Sequence, residues 1–170
     1  LLELKNLSIE LGFKPVAAAA FIGEHSFATA AMPIAEGRPD SQDLQKAEDF
    51  GLKSAALLQD LESVDALAEL DVPGRFPYEG GVREMVVAPE TDKDRCTGCG
   101  TCESVCPTAA ITVADFPETI PEQCIRCSAC IKNCPETARC WEDDMMKQIT
   151  KWLYDNCSAR KEPELFWFDA

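Results

Sequence analysis

The sequence predicts an α+β chain in two unlike parts. A helix–strand–helix segment over 1–70 leads through a linker over 71–91 into a cysteine-anchored module over 92–141, and a helix with an aromatic tail fills 142–170. Three observations predict this. The apolar run Val16–Ile22 lies between two stretches of helical periodicity. A Pro/Gly-rich stretch follows them. Beyond it, eight of the ten cysteines form one pattern written twice.

Residues 1–12 read as the end of a helix, with Leu1, Leu4, Leu7 and Leu11 on one face and Gly12 as its stop. Val16–Ile22 fits a strand buried on both faces, as in a parallel sheet. Its four alanines leave a helix as the rival reading, against which Gly12 and Pro15 stand. Residues 23–40 are loop-like. Asp40 or Ser41 then caps a second helix, with Asp43 in its first turn. Leu44, Ala47, Gly51, Ala55, Leu58 and Leu61 form the expected apolar face, and the helix is expected to end near 64–70. A parallel strand needs neighbours for its backbone, yet residues 90–140 are committed to the cysteine pattern. Residues 1–70 are therefore expected to be the C-terminal remnant of an open α/β domain. Its other strands would be removed, disordered or supplied by another chain. The chain begins at Leu1 without a methionine and reads as already cut.

The first copy of the pattern is Cys96, Cys99, Cys102, Cys106, then Pro107; the second is Cys124, Cys127, Cys130, Cys134, then Pro135, each member 28 residues on. This C-x2-C-x2-C-x3-C-P run holds [4Fe-4S] clusters. Two-residue gaps let three sulfurs of a tight loop reach three irons of one cube. The fourth iron needs a ligand from another direction, and in this motif the fourth cysteine serves the other cluster. Cluster one is expected to take Cys96, Cys99, Cys102 and Cys134, and cluster two Cys124, Cys127, Cys130 and Cys106. Zinc also uses C-x-x-C pairs, but it needs neither a third cysteine at this pitch nor a following proline. The spacing likewise argues against a disulfide scaffold. Cluster ligation needs reduced thiols, so a cytoplasmic location is expected.

Gly98, Gly100, Thr101, Ser128 and Ala129 would let backbone N–H groups approach sulfur. Ile111–Val113 reads as one strand of a hairpin, and Pro117 and Pro121 as turns. Residues 142–157 read as an amphipathic helix with Met146, Ile149, Trp152 and Leu153 inward. The tail Glu164–Phe168 is expected to pack back on the body. Cys140 and Cys157 fall outside the pattern and read as partly buried free thiols. His25, the only histidine, reads as an ordinary loop residue in preference to a catalytic or flavin-contacting one.

The formal charge is −14. Such a chain is expected to repel nucleic acid and anionic membranes, and its charge either attracts a redox protein with a basic docking surface or simply keeps the chain soluble. No apolar run approaches the roughly 18 residues of a membrane span, and no signal peptide is visible.

Residues 92–141 resemble the bacterial 2[4Fe-4S] ferredoxin module. The departure is mild: the second copy continues Pro135-Glu136-Thr137-Ala138-Arg139-Cys140, where Pro-x-x-Ala-Ile is commoner. The whole chain is similar to the C-terminal two-thirds of a flavodoxin–ferredoxin fusion family of anaerobic bacteria. The stretches that carry this are Ala17–Ser26, Gly37–Asp40 and Arg160–Glu164. The resemblance implies that residues 1–70 are the last helix–strand–helix of a flavodoxin-like domain. It also implies an electron carrier, with FMN belonging only to a longer parent form that carries the flavin loops. Two alternatives stand beside this: an FMN- and cluster-dependent oxidoreductase in the full-length form, and a structural or oxygen-sensing metal module.

Overall fold

The computed structural model describes residues 1–59, 61–64, 67–78 and 85–168. In chain order the elements are α1 (Leu2–Glu10), β1 (Ala17–Ala20), α2 (Ser41–Gln59), β2 (Glu90–Thr91), α3 (Thr101–Ser104), β3 (Ile111–Val113), β4 (Pro117–Thr119), α4 (Ala129–Lys132), β5 (Arg139–Cys140), α5 (Asp144–Cys157) and β6 (Glu164–Trp167). They fall into two compact units. The first draws on residues within 1–24, 37–82 and 160–170, the second on residues within 25–36 and 83–159.

In the first unit α1 stops where Gly12 takes a left-handed φ of 85°. Its leucine face is not covered: no residue of α1 is buried, and Leu4 and Leu11 are 66% and 75% exposed. Spacing sets a face, but a neighbour must cover it, and among the described residues none does so fully. The N-terminus of α1 docks closely on the chain after α2. The Leu2 N–H donates to Pro73 O at 3.2 Å, and a Cβ at Gly74 would fall 2.3 Å from Leu2 Cβ.

The strand at Ala17–Ala20 is present, but its expected parallel setting is corrected. It pairs antiparallel with β6, in a register from Ala17↔Trp167 to Ala20↔Glu164, and all four alanines are half-buried. An apolar run encodes burial, not the direction of its neighbour. The neighbour comes from the far end of the chain, so residues 90–140 need not supply it. The tail packs back as expected. Trp167 lies 5.2 Å from Phe50 between ring centroids, its Nε1–H donates to Ser54 Oγ at 3.2 Å, and Lys53 Nζ sits 3.5 Å over its ring.

Asp40 caps α2, its carboxylate accepting from the N–H groups of Gln42 and Asp43 at 2.9 and 3.0 Å. The inward face of α2 differs from expectation. Leu44 and Leu58 are 61% and 41% exposed. Ala47 is turned from solvent as expected, but it shares that stripe with Asp43, Phe50, Ser54 and Leu57. Asp43 sets this rotation. It is fully buried and takes the Arg38 guanidinium in a two-pronged pair, with Nη2 2.5 Å from Oδ1 and Nε on Oδ2. A paired buried charge fixes the helix face more firmly than an apolar pattern does. The helix ends at Gln59, short of the expected 64–70; residues 60, 65 and 66 of that stretch lie outside the described residues. Of the expected linker, 71–78 and 85–89 form no helix or strand, 79–84 lie outside the described residues, and 90–91 form β2.

In the second unit β3 and β4 form an antiparallel hairpin with Val113 opposite Pro117. Pro117 thus begins a strand, where a turn was expected, while Pro121 opens a 3-10 turn over Pro121–Gln123. β2 pairs with β5, Thr91 opposite Arg139. The apolar centre is Cys102, Ile111 and Cys130, backed by Cys106, Val113 and Ile131. Asp143 caps α5 by accepting from the Met146 N–H at 2.9 Å. Met146 and Thr150 face inward, but Trp152 is 60% exposed, against expectation. The Thr150 hydroxyl donates to Met146 O at 2.9 Å, which lets a polar residue take the inward position. Among the described residues no helix is long and apolar enough to cross a membrane.

Candidate metal centre

The second unit repeats its backbone at the sequence offset of 28. Gly98 and Gly100 have φ of 68° and 77°; Arg126 and Ser128, their counterparts, both have 59°. Ala109 and Thr137 repeat likewise at 51° and 50°. Left-handed residues curl the cysteine loops so that successive N–H groups face inward. Glycine does this without strain in the first copy. In the second, side-chain bonds help hold the turn: Trp141 Nε1–H donates to Ser128 Oγ at 3.0 Å, and Arg126 Nη1 donates to Met85 O at 2.5 Å.

Two recesses open between the copies. One is lined by Cys96, Cys99 and Cys102 of the first loop and by Cys134. The other is lined by Cys124, Cys127 and Cys130 of the second loop and by Cys106. Each short helix carries a third cysteine toward its own loop, and the chain leaving the helix turns the fourth toward the other recess. All ten cysteines are free thiols. Cys102 and Cys130 are buried at the centre, while Cys99 and Cys127 are exposed.

Donors surround these sulfurs. The N–H groups of Ala110 and Ala138 donate to Cys106 Sγ at 3.3 Å and Cys134 Sγ at 3.2 Å. Thr101 Oγ1 lies 3.4 Å from Cys99 Sγ, and with the Thr101 N–H it holds that thiol below the usual range. Burial pushes the Cys106 thiol up, but donors from Thr108, Ala110 and Ile111 prevail and lower it. Burial pushes Cys102 and Cys130 up, with the charge of Arg139 acting against it in both. Donors that favour thiolate also favour metal binding, which requires deprotonated sulfur.

The donor set suits a bulky polynuclear group. Four sulfurs surround each recess, and the backbone N–H groups point at sulfur as they do around iron–sulfur clusters. A single ion would need its ligands drawn to one point. Among the described residues no group of three or more His, Cys, Asp or Glu side chains is gathered so.

Other sequence candidates stand apart. His25 Nδ1 accepts the Phe27 N–H at 3.1 Å, and burial followed by the charge of Lys132 lowers its pKa. The imidazole is thereby tied to its own loop. Cys140 lies in β5, its thiol pushed up by burial and by Glu142, and Cys157 ends α5; neither lines a recess. Sequence reasoning missed Arg139, which is 3% exposed in the wall of the first recess. The available signal was its place in the repeat, opposite the apolar Ile111 of the first copy.

Residues 89–112 match a 4Fe-4S binding domain family, and residues 121–142 match a second 4Fe-4S binding domain family. No curated protein and no solved structure matches the chain. The chain thus carries two 4Fe-4S binding domains and has an iron–sulfur electron-transfer role.

Proposed function

We propose that the chain is a relay for single electrons, with each [4Fe-4S] cluster held by three cysteines of one loop and one of the other. Cluster one takes Cys96, Cys99, Cys102 and Cys134; cluster two takes Cys124, Cys127, Cys130 and Cys106. The observation that carries this is the crossed lining of the two recesses. When bound, each cluster supplies a one-electron couple with no bond made or broken. The residues do the rest. The thiolates anchor, the Ala110 and Ala138 amides and the Thr101 hydroxyl offset charge on sulfur, and the Cys102–Ile111–Cys130 centre keeps water out between the recesses.

The donor or acceptor is a redox protein with a basic docking surface, supported by the charge of −14. In a longer parent form the clusters couple to FMN. That extension is supported by the resemblance of Ala17–Ser26, Gly37–Asp40 and Arg160–Glu164 to the flavodoxin–ferredoxin fusions. On this reading further strands of the first unit belong to the parent or to another chain, and the protein works in the cytoplasm.

The test is anaerobic analysis of the purified chain. About eight irons and eight sulfides are expected, with a paramagnetic signal after dithionite. Zinc without sulfide would end the proposal.

A further inference from the structure

Arg139 is a buried cation in a place that the repeat otherwise gives to an apolar side chain. Its counterpart 28 residues earlier is Ile111, and the two are 3% and 4% exposed. Two threonines hold the guanidinium: Nη1 donates to Thr91 Oγ1 at 2.5 Å and Nη2 to Thr119 Oγ1 at 2.7 Å. Its Nε is buried without a hydrogen-bond partner. Arg139 lines the recess of Cys96, Cys99, Cys102 and Cys134, while Thr119 lines the recess of Cys106, Cys124, Cys127 and Cys130. The charge therefore stands between the two sulfur sets. Among the described residues no carboxylate pairs with it.

A buried charge needs a counter-charge. The cysteines of the recess that Arg139 lines would supply it once they are deprotonated on a cluster; the charge of Arg139 is felt at both Cys102 and Cys130. We propose that Arg139 is a tuning residue, a fixed cation that makes both clusters easier to reduce. This rests on the cluster reading above. Reduction brings one electron from a donor into a recess, with no bond formed or broken and no proton moved. The sulfur set then carries one more negative charge opposite a cation that does not move, so the reduced state gains more than the oxidised one. The guanidinium suits this role because it stays protonated in any surroundings. The threonine pair fixes it without neutralising it, as a carboxylate would.

The experiment is a mediated redox titration followed by paramagnetic resonance, on the anaerobically purified chain with dithionite as one-electron reductant. Wild type is compared with Arg139→Met, Arg139→Gln and Arg139→Lys, each first assayed for iron and sulfide. Both neutral variants should be at least tenfold harder to reduce at fixed potential, which is 59 mV for a one-electron couple. Arg139→Lys should stay within about threefold of wild type, because it keeps the charge. If Arg139→Met fails to load, Arg139→Gln is read by the same criterion. Loaded neutral variants that titrate like wild type overturn the tuning role alone. So does an Arg139→Lys shift as large as that of the neutral variants, since packing and not charge would then be at work. Wild type without iron and sulfide overturns the cluster reading, and this inference with it.

Discussion

Ser128 stands in the left-handed conformation that Gly100 holds 28 residues earlier, with φ of 59° against 77°, and it does so while 3% exposed. Two opposing effects meet there. A side chain in that region costs about 1 kcal/mol, and the hydrogen bond from Trp141 returns about 1 kcal/mol. Ser128→Ala keeps the strain and loses the bond, so it should destabilise by about 1 kcal/mol. Ser128→Gly loses both and should be near neutral. Guanidinium titration followed by loss of brown absorbance checks this. A Gly variant weaker than the Ala variant would remove strain from the account.

The crossed ligation makes a pairwise prediction. Cys106→Ser should leave the same residual spectrum and potential as Cys127→Ser, and Cys134→Ser the same as Cys99→Ser. The reason is that each pair lines one recess. Paramagnetic resonance of the four reduced variants decides it; a match of Cys106→Ser with Cys99→Ser would show an uncrossed arrangement.

Trp167 joins β6 to α2 through Phe50, Lys53 and Ser54. Trp167→Ala should cost about 2–4 kcal/mol, below the full value for a core aromatic because the ring is only half-buried. Faster hydrogen exchange at Ala17–Ala20, whose partner strand is β6, should accompany it, with iron content unchanged. Exchange at wild-type rates would mean that β6 is held by other means.

The first unit should weaken in acid through Asp40 and Asp43. The Arg160 guanidinium lowers Asp40 from 3.8 to about 2, and Arg38 lowers Asp43. A carboxyl depressed on folding stabilises above its unfolded pKa, and that support is lost as pH falls through the folded one. The Asp40 contribution should therefore be intact above about pH 4 and fade toward about pH 2. Hydrogen exchange of β6 at pH 6 and pH 3 measures it. Arg160→Met should blunt the difference, since Arg160 bonds Asp40 at 2.6 Å. An identical pH response in that variant would refute the assignment.

Chain-local features were legible in advance. The cysteine spacing and its proline, the stop at Gly12, the Asp40 cap and the Ile111–Val113 strand each depend on residues within a few positions, where sterics and short-range hydrogen bonds decide. The inward face of α2 was misjudged because Leu44 and Leu58 follow the apolar pattern, while Asp43 is the residue that is buried. A pattern cannot foresee that Arg38 will neutralise that carboxylate. The parallel setting of β1 failed for a related reason. Its partner lies at Glu164–Trp167, and the alanines carry no mark of strand direction.

Residue order along the chain set the chemistry: eight thiols at a pitch that suits iron cubes, and the local turns that present them. Folding alone decided which distant groups meet them. It set Arg139 between the two sulfur sets, gave β1 its partner from the tail, and chose the face that α2 buries. The reason is physical: ligand spacing is written along the chain, whereas fields, counter-charges and strand neighbours exist only between segments that packing brings together.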